Sequence, residues 1–119
     1  MKHEMGLYGE YFSKILNGEK TVEVRLNDEK RRKIKCGDII EFWEVPGQKR
    51  SLQVEVVKLE RFPTFLEMYE SIPFKWFGCE GWEINDMIEG TYEIYSQELE
   101  QQWGTLAITI KLITLNSVL

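Results

Sequence analysis

The sequence of 119 residues has few of the side chains that build metal centres or disulfide frameworks, with two cysteines and one histidine. Cys36 and Cys79 are isolated and His3 has no neighbouring ligand, so no zinc-binding spacing is present. We therefore expect reduced thiols, no metal and no cofactor. The chain also lacks an apolar run near the ~20 residues that span a bilayer, and its first ten residues lack the apolar core of a secretory signal. These absences predict a cytoplasmic protein with no membrane partner.

Positive charge is scarce and unevenly distributed, and the formal net charge is -5. Residues 1–50 contain 11 Lys and Arg against 9 Asp and Glu, whereas residues 51–119 contain 4 against 11. A general duplex-binding protein needs a broad basic surface to release counterions, and this composition argues against one. One local basic stretch could still hold a nucleic-acid backbone, or could simply be a solvated helical face. Its members are Lys30, Arg31, Arg32, Lys33 and Lys35.

The chain does contain enough apolar side chains for one globular domain, at 43% hydrophobic and 13% aromatic residues. We expect this domain to cover residues 1–113, because the last residues, 114–119, have no periodic pattern and predict a frayed tail. Helices are predicted over 9–17, from Thr64 to before Pro73, over 84–89 and over 96–103.

Strands are predicted over 21–26, 39–43, 52–59 and 105–113. The apolar phase changes at Val56 and Val57, which indicates a β-bulge. In the last strand the inward residues are predicted to be Leu106, Ile108, Ile110 and Leu112. Short strands with a bulge favour an α+β fold, a small partly open β-barrel with flanking short helices.

The most informative segment is NGEKTVEVRLND, residues 17–28. Strand alternation from Thr21 puts Glu23 and Arg25 on the same face as Thr21, and Lys20 comes just before this strand. Three ionisable groups of mixed sign at such short range can orient a polar ligand or transfer protons. The simpler alternative is an exposed strand face with salt bridges.

A second notable segment, residues 74–82, is rich in aromatic and glycine residues. It could form a shaped loop over a site, or its aromatic side chains could fill the core. A third possibility is a contact patch for another protein, formed by exposed Trp76, Phe77 and Trp82.

The motif Gly18-x-Lys20-x-x-Glu23-x-Arg25 and the basic stretch after it resemble the ASCH domains, a branch of the PUA-like superfamily. The likeness extends to RFPTFLEMY, residues 61–69, and to YSQELEQQWGTLAITIKL, residues 95–112. The chain looks like a small single-domain member of bacterial type. The resemblance implies a PUA-like barrel with a cleft lined by the motif.

ASCH domains are thought to bind RNA, so the resemblance implies an RNA or modified nucleoside as the partner. In such a site Lys20 and Arg25 would donate to a phosphate or a base edge, and Glu23 would orient them or accept from an amino group. Thr21 would lie beside them. An unpaired base could stack on Tyr69 or Trp76.

Some bacterial relatives hydrolyse the amide of N4-acetylcytidine, which makes an amidohydrolase the alternative. Those relatives use the motif lysine, a threonine where this chain has Glu23, and a later glutamate that aligns with Glu80 or, as a second choice, Glu83. A carboxylate cannot replace the nucleophilic hydroxyl, although it can act as a base for water. We therefore predict a binding domain for RNA or a modified nucleoside, with the amidohydrolase and the protein-interaction module as alternatives.

Overall fold

The elements follow one another with short connections in the computed structural model, which describes residues 1–117. The strands are β1 Lys2–Tyr8, β2 Val22–Leu26, β3 Ile39–Val45, β4 Arg50–Phe62 and β5 Thr105–Ser117. The α-helices are α1 Gly9–Leu16, α2 Phe65–Ser71, α3 Ile84–Tyr92 and α4 Gln97–Trp103. Single 3-10 turns are formed by Arg31–Lys33 and Phe74–Trp76. None of the helices within this described range is long and apolar enough to cross a membrane.

The five strands form one curled sheet in the order β1-β3-β4-β5-β2. β1 pairs with β3 in parallel, and the other three pairings are antiparallel. β1 and β2 are the two edges, and they approach each other closely enough for Arg25 Nη2 to donate to the Gly6 carbonyl at 2.8 Å. The predicted α+β fold, a small partly open barrel with short helices beside it, is confirmed.

Two apolar clusters hold the layers together. In the first, Phe12 and Ile15 of α1 pack on inward side chains of the sheet such as Phe42. In the second, Phe65 of α2 and Met87 of α3 pack against β2. Each of these side chains is buried, and burial of such a group stabilises the fold by about 1.5–3 kcal/mol. The second cluster fixes α2 and α3 beside the strand that carries the charged motif.

Several local predictions of helix ends and of a bulge are confirmed. Each of them depends on residues that lie close to the predicted feature in the sequence. Thr64 caps α2, with its hydroxyl accepting from Glu67 N at 3.1 Å. Ser96 caps α4 in the same way, and Gly104 ends that helix at φ 72°. The register of β4 against β5 shifts between Val56 and Lys58, where the bulge is predicted.

The sequence prediction differs from the structure at both ends of the chain. β1 is not among the predicted strands, although His3, Met5 and Leu7 alternate as buried residues along it. At the other end, β5 continues to Ser117 and its residues 114–116 pair with 51–53, so the tail expected to fray is part of the sheet. A second register shift, between Gln53 and Val54, interrupts the alternation there and hides the strand. Residues 118 and 119 lie outside the described residues.

Leu112 also departs from its prediction. Its partner Val54 is fully buried, as expected for an inward position. Leu112 itself is 38% exposed, because it borders an open recess beside Ile15 and Leu16 at the end of α1.

A hydrogen-bonded carboxylate just before β3, that of Asp38, makes stability depend on pH. Asp38 Oδ2 lies 2.8 Å from His3 Nε2 and accepts from Lys35 N at 3.0 Å. These two hydrogen bonds lower the pKa of Asp38 from 3.8 to about 2. Because the folded value is depressed, the stabilisation is complete above about pH 4 and is lost as the pH falls through about 2.

We therefore expect the Tm of the wild type to fall more steeply between about pH 4 and about pH 2 than the Tm of Asp38→Asn. Thermal unfolding followed by circular dichroism at a series of pH values measures the difference. Parallel curves for the two proteins would contradict this assignment.

Candidate functional site

A cavity of about 420 Å³ opens between the two edge strands and α3. Its volume lies in the range of roughly 300–1,000 Å³ that is usual for small-molecule sites. Lys20, Glu23 and Arg25 form its inner end. Its walls are largely aromatic and include Tyr11, Tyr69, Phe77, Met87 and Tyr95. The exposed side chains of Tyr8, Trp82 and Ile94 lie at its mouth. The charged motif therefore borders an aromatic cavity, not bulk solvent.

The motif is held in place by backbone contacts on both sides. α1 ends at Asn17, and Gly18 turns the chain at φ 85°, a conformation that glycine adopts without strain. Lys20 N then donates to Lys14 O at 3.0 Å, which ties the chain to α1. The next amide, Thr21 N, donates to Trp76 O at 2.8 Å. The aromatic segment 74–82 thus serves as the second support of the motif.

Glu23 is the centre of the charged cluster and is only 4% exposed. Its Oε2 accepts from Arg25 Nε at 2.9 Å and lies 2.7 Å from Arg25 Nη2. Its Oε1 lies 3.4 Å from Lys20 Nζ, and the same ammonium sits 5.3 Å from the centre of the Tyr11 ring. One buried anion is therefore held between the buried ammonium of Lys20 and the guanidinium of Arg25, whose side chain is 13% exposed.

The protonation of this cluster follows from burial and charge together. Burial by itself would raise the pKa of Glu23, but the adjacent cations Arg25 and Lys20 outweigh it and hold that pKa below its usual range. Burial likewise opposes the charge of Arg25, and the Glu23 carboxylate raises the Arg25 pKa in spite of it. Glu23 is consequently a fixed acceptor at neutral pH, whereas a general base works best with a pKa near the working pH.

Another wall of the cavity carries neutral hydroxyl groups. Thr91 donates to Met87 O at 2.7 Å, so Tyr69 is the donor in its own 2.6 Å contact with the Thr91 hydroxyl. Burial raises the pKa of Tyr69 and also that of Tyr95, whose hydroxyl lies 3.4 Å from Val24 O. Both tyrosines stay protonated at neutral pH, and this wall adds shape and apolar surface without adding charge.

Of the residues predicted to contact a ligand or to act in catalysis, Lys20, Glu23, Arg25 and Tyr69 line the cavity. Thr21, Trp76, Glu80 and Glu83 do not. Thr21 borders the separate recess beside α1, and the Trp76 side chain is 44% exposed outside the lining. Glu80 is exposed because Trp82 N donates to Cys79 O, which closes a tight turn with Glu80 on its outer side. The second choice, Glu83, caps α3 in a reciprocal pair with Asp86.

The basic stretch is not a uniform patch. Lys30, Lys33 and Lys35 are exposed, but the two arginines have structural partners. Arg32 donates to Asn27 O at 2.7 Å and its guanidinium lies 5.3 Å from the centre of a Trp103 ring. Arg31 is half-buried, pairs with Asp28 and lines the cavity.

Sequence patterns did not single out several other cavity residues, including Tyr8, Tyr11 and Tyr95. They come from separate segments that only the tertiary fold brings together, so no spacing marks them. The alternation in β1 could have identified the strand that ends at Tyr8. Phe77, expected in an exposed patch, is instead buried, with its ring edge-on to Tyr69 at 5.2 Å. The prediction of an exposed contact patch is therefore wrong for Phe77, because its ring is part of the second apolar cluster.

The family profile described as "ASCH domain" matches residues 5–114, nearly the whole described chain. The chain belongs to the ASCH domain family. The predicted likeness to the family is thereby confirmed. Among curated proteins no match was found.

Within residues 1–117 no cluster of three His, Cys, Asp or Glu side chains is arranged to hold a metal ion.

Solved structures agree with this assignment. The crystal structure of the hypothetical protein PH0355 is 39% identical, with a TM-score of 0.85 over 95% of this chain and 100% of that one. The solution structure of PF0455 from Pyrococcus furiosus is 35% identical, with a TM-score of 0.75 over 95% and 98%. The crystal structure of ASCH from Zymomonas mobilis is 14% identical, with a TM-score of 0.60 over 92% of this chain and 66% of that one, and it shows a shared fold alone.

Proposed function

We propose that this ASCH domain binds a cytidine-type nucleoside, either free or as an unpaired nucleotide of RNA, with the base inserted into the motif cavity. The observation that carries the proposal is the buried Lys20–Glu23–Arg25 cluster at the closed end of a cavity of about 420 Å³. Aromatic walls with a few fixed polar groups are the usual features of a site for a planar ligand.

The cluster complements the pairing edge of cytosine. A fixed carboxylate accepts from an exocyclic amino group, as Glu does from cytosine N4. Among residues 1–117, Lys20 is the one polar partner of Glu23 Oε1, at 3.4 Å, so this oxygen keeps a lone pair for a ligand. The cations beside it can donate to the ring nitrogen and carbonyl oxygen that follow the amino group on the same edge. An N4-acetylated base still carries one N–H for Glu23.

The mouth of the cavity supports binding of RNA as well as of a free nucleoside. Tyr8 is 58% and Trp82 40% exposed there, although both border the cavity. Exposed rings beside a base pocket can stack on a neighbouring base, a contact worth about 1–3 kcal/mol. Trp82, and not Trp76, takes this role.

Hydrolysis of an acetylated cytidine has less support from the same geometry. Of the described residues that line the cavity, the carboxylates are Glu23 and Asp28, and each is paired with an arginine. Glu80 lies outside the lining. Amide hydrolysis needs a nucleophile or a base that is free to take a proton, whereas binding needs only fixed donors and acceptors.

The test is a titration of the 15N-labelled protein with cytidine, N4-acetylcytidine and a short single-stranded RNA. We expect shifts at residues 20–25 and at Trp82, and at least tenfold weaker binding in Lys20→Met, because one charge-assisted contact is lost. For the two nucleosides, the exposed Lys30→Met serves as the matched control and should bind them like the wild type. Shifts confined to residues 30–35, or none at all, would overturn the proposal.

Incubation with N4-acetylcytidine, scored by loss of the acetyl group, tests the alternative. Turnover that depends on Lys20 would replace a binding function by a catalytic one.

A further inference from the structure

A second charged pair lines the same cavity, and the proposed base contacts do not use it. Asp28 follows β2, three residues after Arg25, which is about 10 Å along an extended chain. Its Oδ2 lies 3.2 Å from Arg31 Nη1, and its Oδ1 accepts from Arg31 N at 3.1 Å. The cavity therefore has a second charged group beside the Lys20–Glu23–Arg25 cluster.

The pair is not fully satisfied by the protein. Arg31 Nε is buried with no hydrogen-bond partner among the described residues. A buried donor left in this state destabilises the protein, so a ligand oxygen that lets the guanidinium re-orient would recover part of that cost. The Asp28 side chain is 28% exposed, and each of its oxygens retains a lone pair beyond its contact with Arg31. An acceptor and a donor thus lie side by side where a ligand can reach them.

We propose that Asp28 and Arg31 recognise the ribose hydroxyls of the bound nucleoside, so that the cavity selects ribonucleosides over 2′-deoxyribonucleosides. This inference rests on the proposed function, since the base must occupy the end formed by Glu23. A hydroxyl both donates and accepts, and it fits a carboxylate next to a guanidinium. The 2′-hydroxyl is also the group by which proteins distinguish RNA from DNA.

A phosphate group matches this pair less well than a ribose. Phosphate oxygens need donors only, and a phosphate here would meet the Asp28 carboxylate as a like charge.

Calorimetric titration of the wild type with cytidine and with 2′-deoxycytidine tests the inference. We expect 2′-deoxycytidine to bind about tenfold more weakly, the usual effect of losing a hydrogen bond to a charged group. In Asp28→Asn, cytidine should fall to the affinity of 2′-deoxycytidine, while the affinity for 2′-deoxycytidine itself should stay unchanged. The amide oxygen of asparagine can still accept from Arg31 N, so the turn is preserved. Glu29→Gln, an exposed neighbour with the same charge change, should keep the preference.

The outcomes separate this inference from the function on which it rests. Equal wild-type affinities for the two nucleosides would overturn ribose recognition and leave base binding intact. Failure of both nucleosides to bind would overturn both proposals. Tighter binding of cytidine 5′-monophosphate that disappears in Arg31→Gln, with no ribose preference, would assign the pair to a phosphate instead and overturn the inference.

Discussion

Glu23→Gln is expected to lower the free energy of unfolding by about 3–5 kcal/mol and to abolish nucleoside binding. Glutamine has nearly the same shape as glutamate but no charge, so Arg25 and Lys20 would stay buried without a counterion. Their mutual repulsion would no longer be offset, and the amide would also present a donor toward one of them. The bound base would lose its carboxylate acceptor in the same step.

Urea unfolding gives the change in stability, and the nucleoside titration gives the change in affinity. Glu80→Gln is the matched control, because Glu80 is exposed and lies outside the cavity lining. We expect that variant to stay within about 0.5 kcal/mol of the wild type. A loss below about 1 kcal/mol for Glu23→Gln would indicate a solvated salt bridge and would contradict a desolvated site.

The charged strand could be predicted from sequence because strand alternation is a local rule. This rule put Glu23 and Arg25 on one face, and in the structure Arg25 Nε donates to Glu23 Oε2 at 2.9 Å. The caps at Thr64 and Ser96 were predictable for the same reason, since each signal lies within four residues of its effect. Such local rules do not predict which residues face this strand across the cavity.

The walls of the cavity could not be predicted, because they depend on contacts between distant segments. Tyr69 and Val24, for example, meet across the second apolar cluster although 45 positions separate them in the sequence. A single turn decides which residue of segment 79–82 faces the ligand, and its closing bond, from Trp82 N to Cys79 O, turns Glu80 outward. Composition favoured Trp76 and Trp82 equally, and only the path of the backbone distinguishes them.

The extent of β5 illustrates how irregular pairing hides a strand. Alternation identifies the strand up to residue 113, and then one extra residue in β5 shifts the register. The side chains beyond that point no longer continue the pattern, although residues 114–116 are paired with β4. A bulge that leaves hydrogen bonding intact can therefore resemble the end of a strand.

Replacing the whole cluster by apolar residues of similar size, as Lys20→Met, Glu23→Leu and Arg25→Met together, is expected to recover most of the stability that Glu23→Gln loses. Buried ion clusters gain little net energy, because the cost of desolvating the charges offsets their attraction, and apolar replacements are often neutral or stabilising. Arg25 also donates to Gly6 O across the gap between β1 and β2. Gly6 is exposed, so water can replace that bond.

The triple variant should therefore unfold at a urea concentration near that of the wild type. Its free energy of unfolding should be roughly 3 kcal/mol above that of Glu23→Gln, while nucleoside binding stays abolished. This combination would mean that the charges are retained for recognition and not for folding. A triple variant as unstable as Glu23→Gln would instead identify the cluster as the clasp that joins the two edge strands. In that case loss of binding in any single variant would follow from loosening of the barrel, and affinity would have to be compared among variants of equal stability.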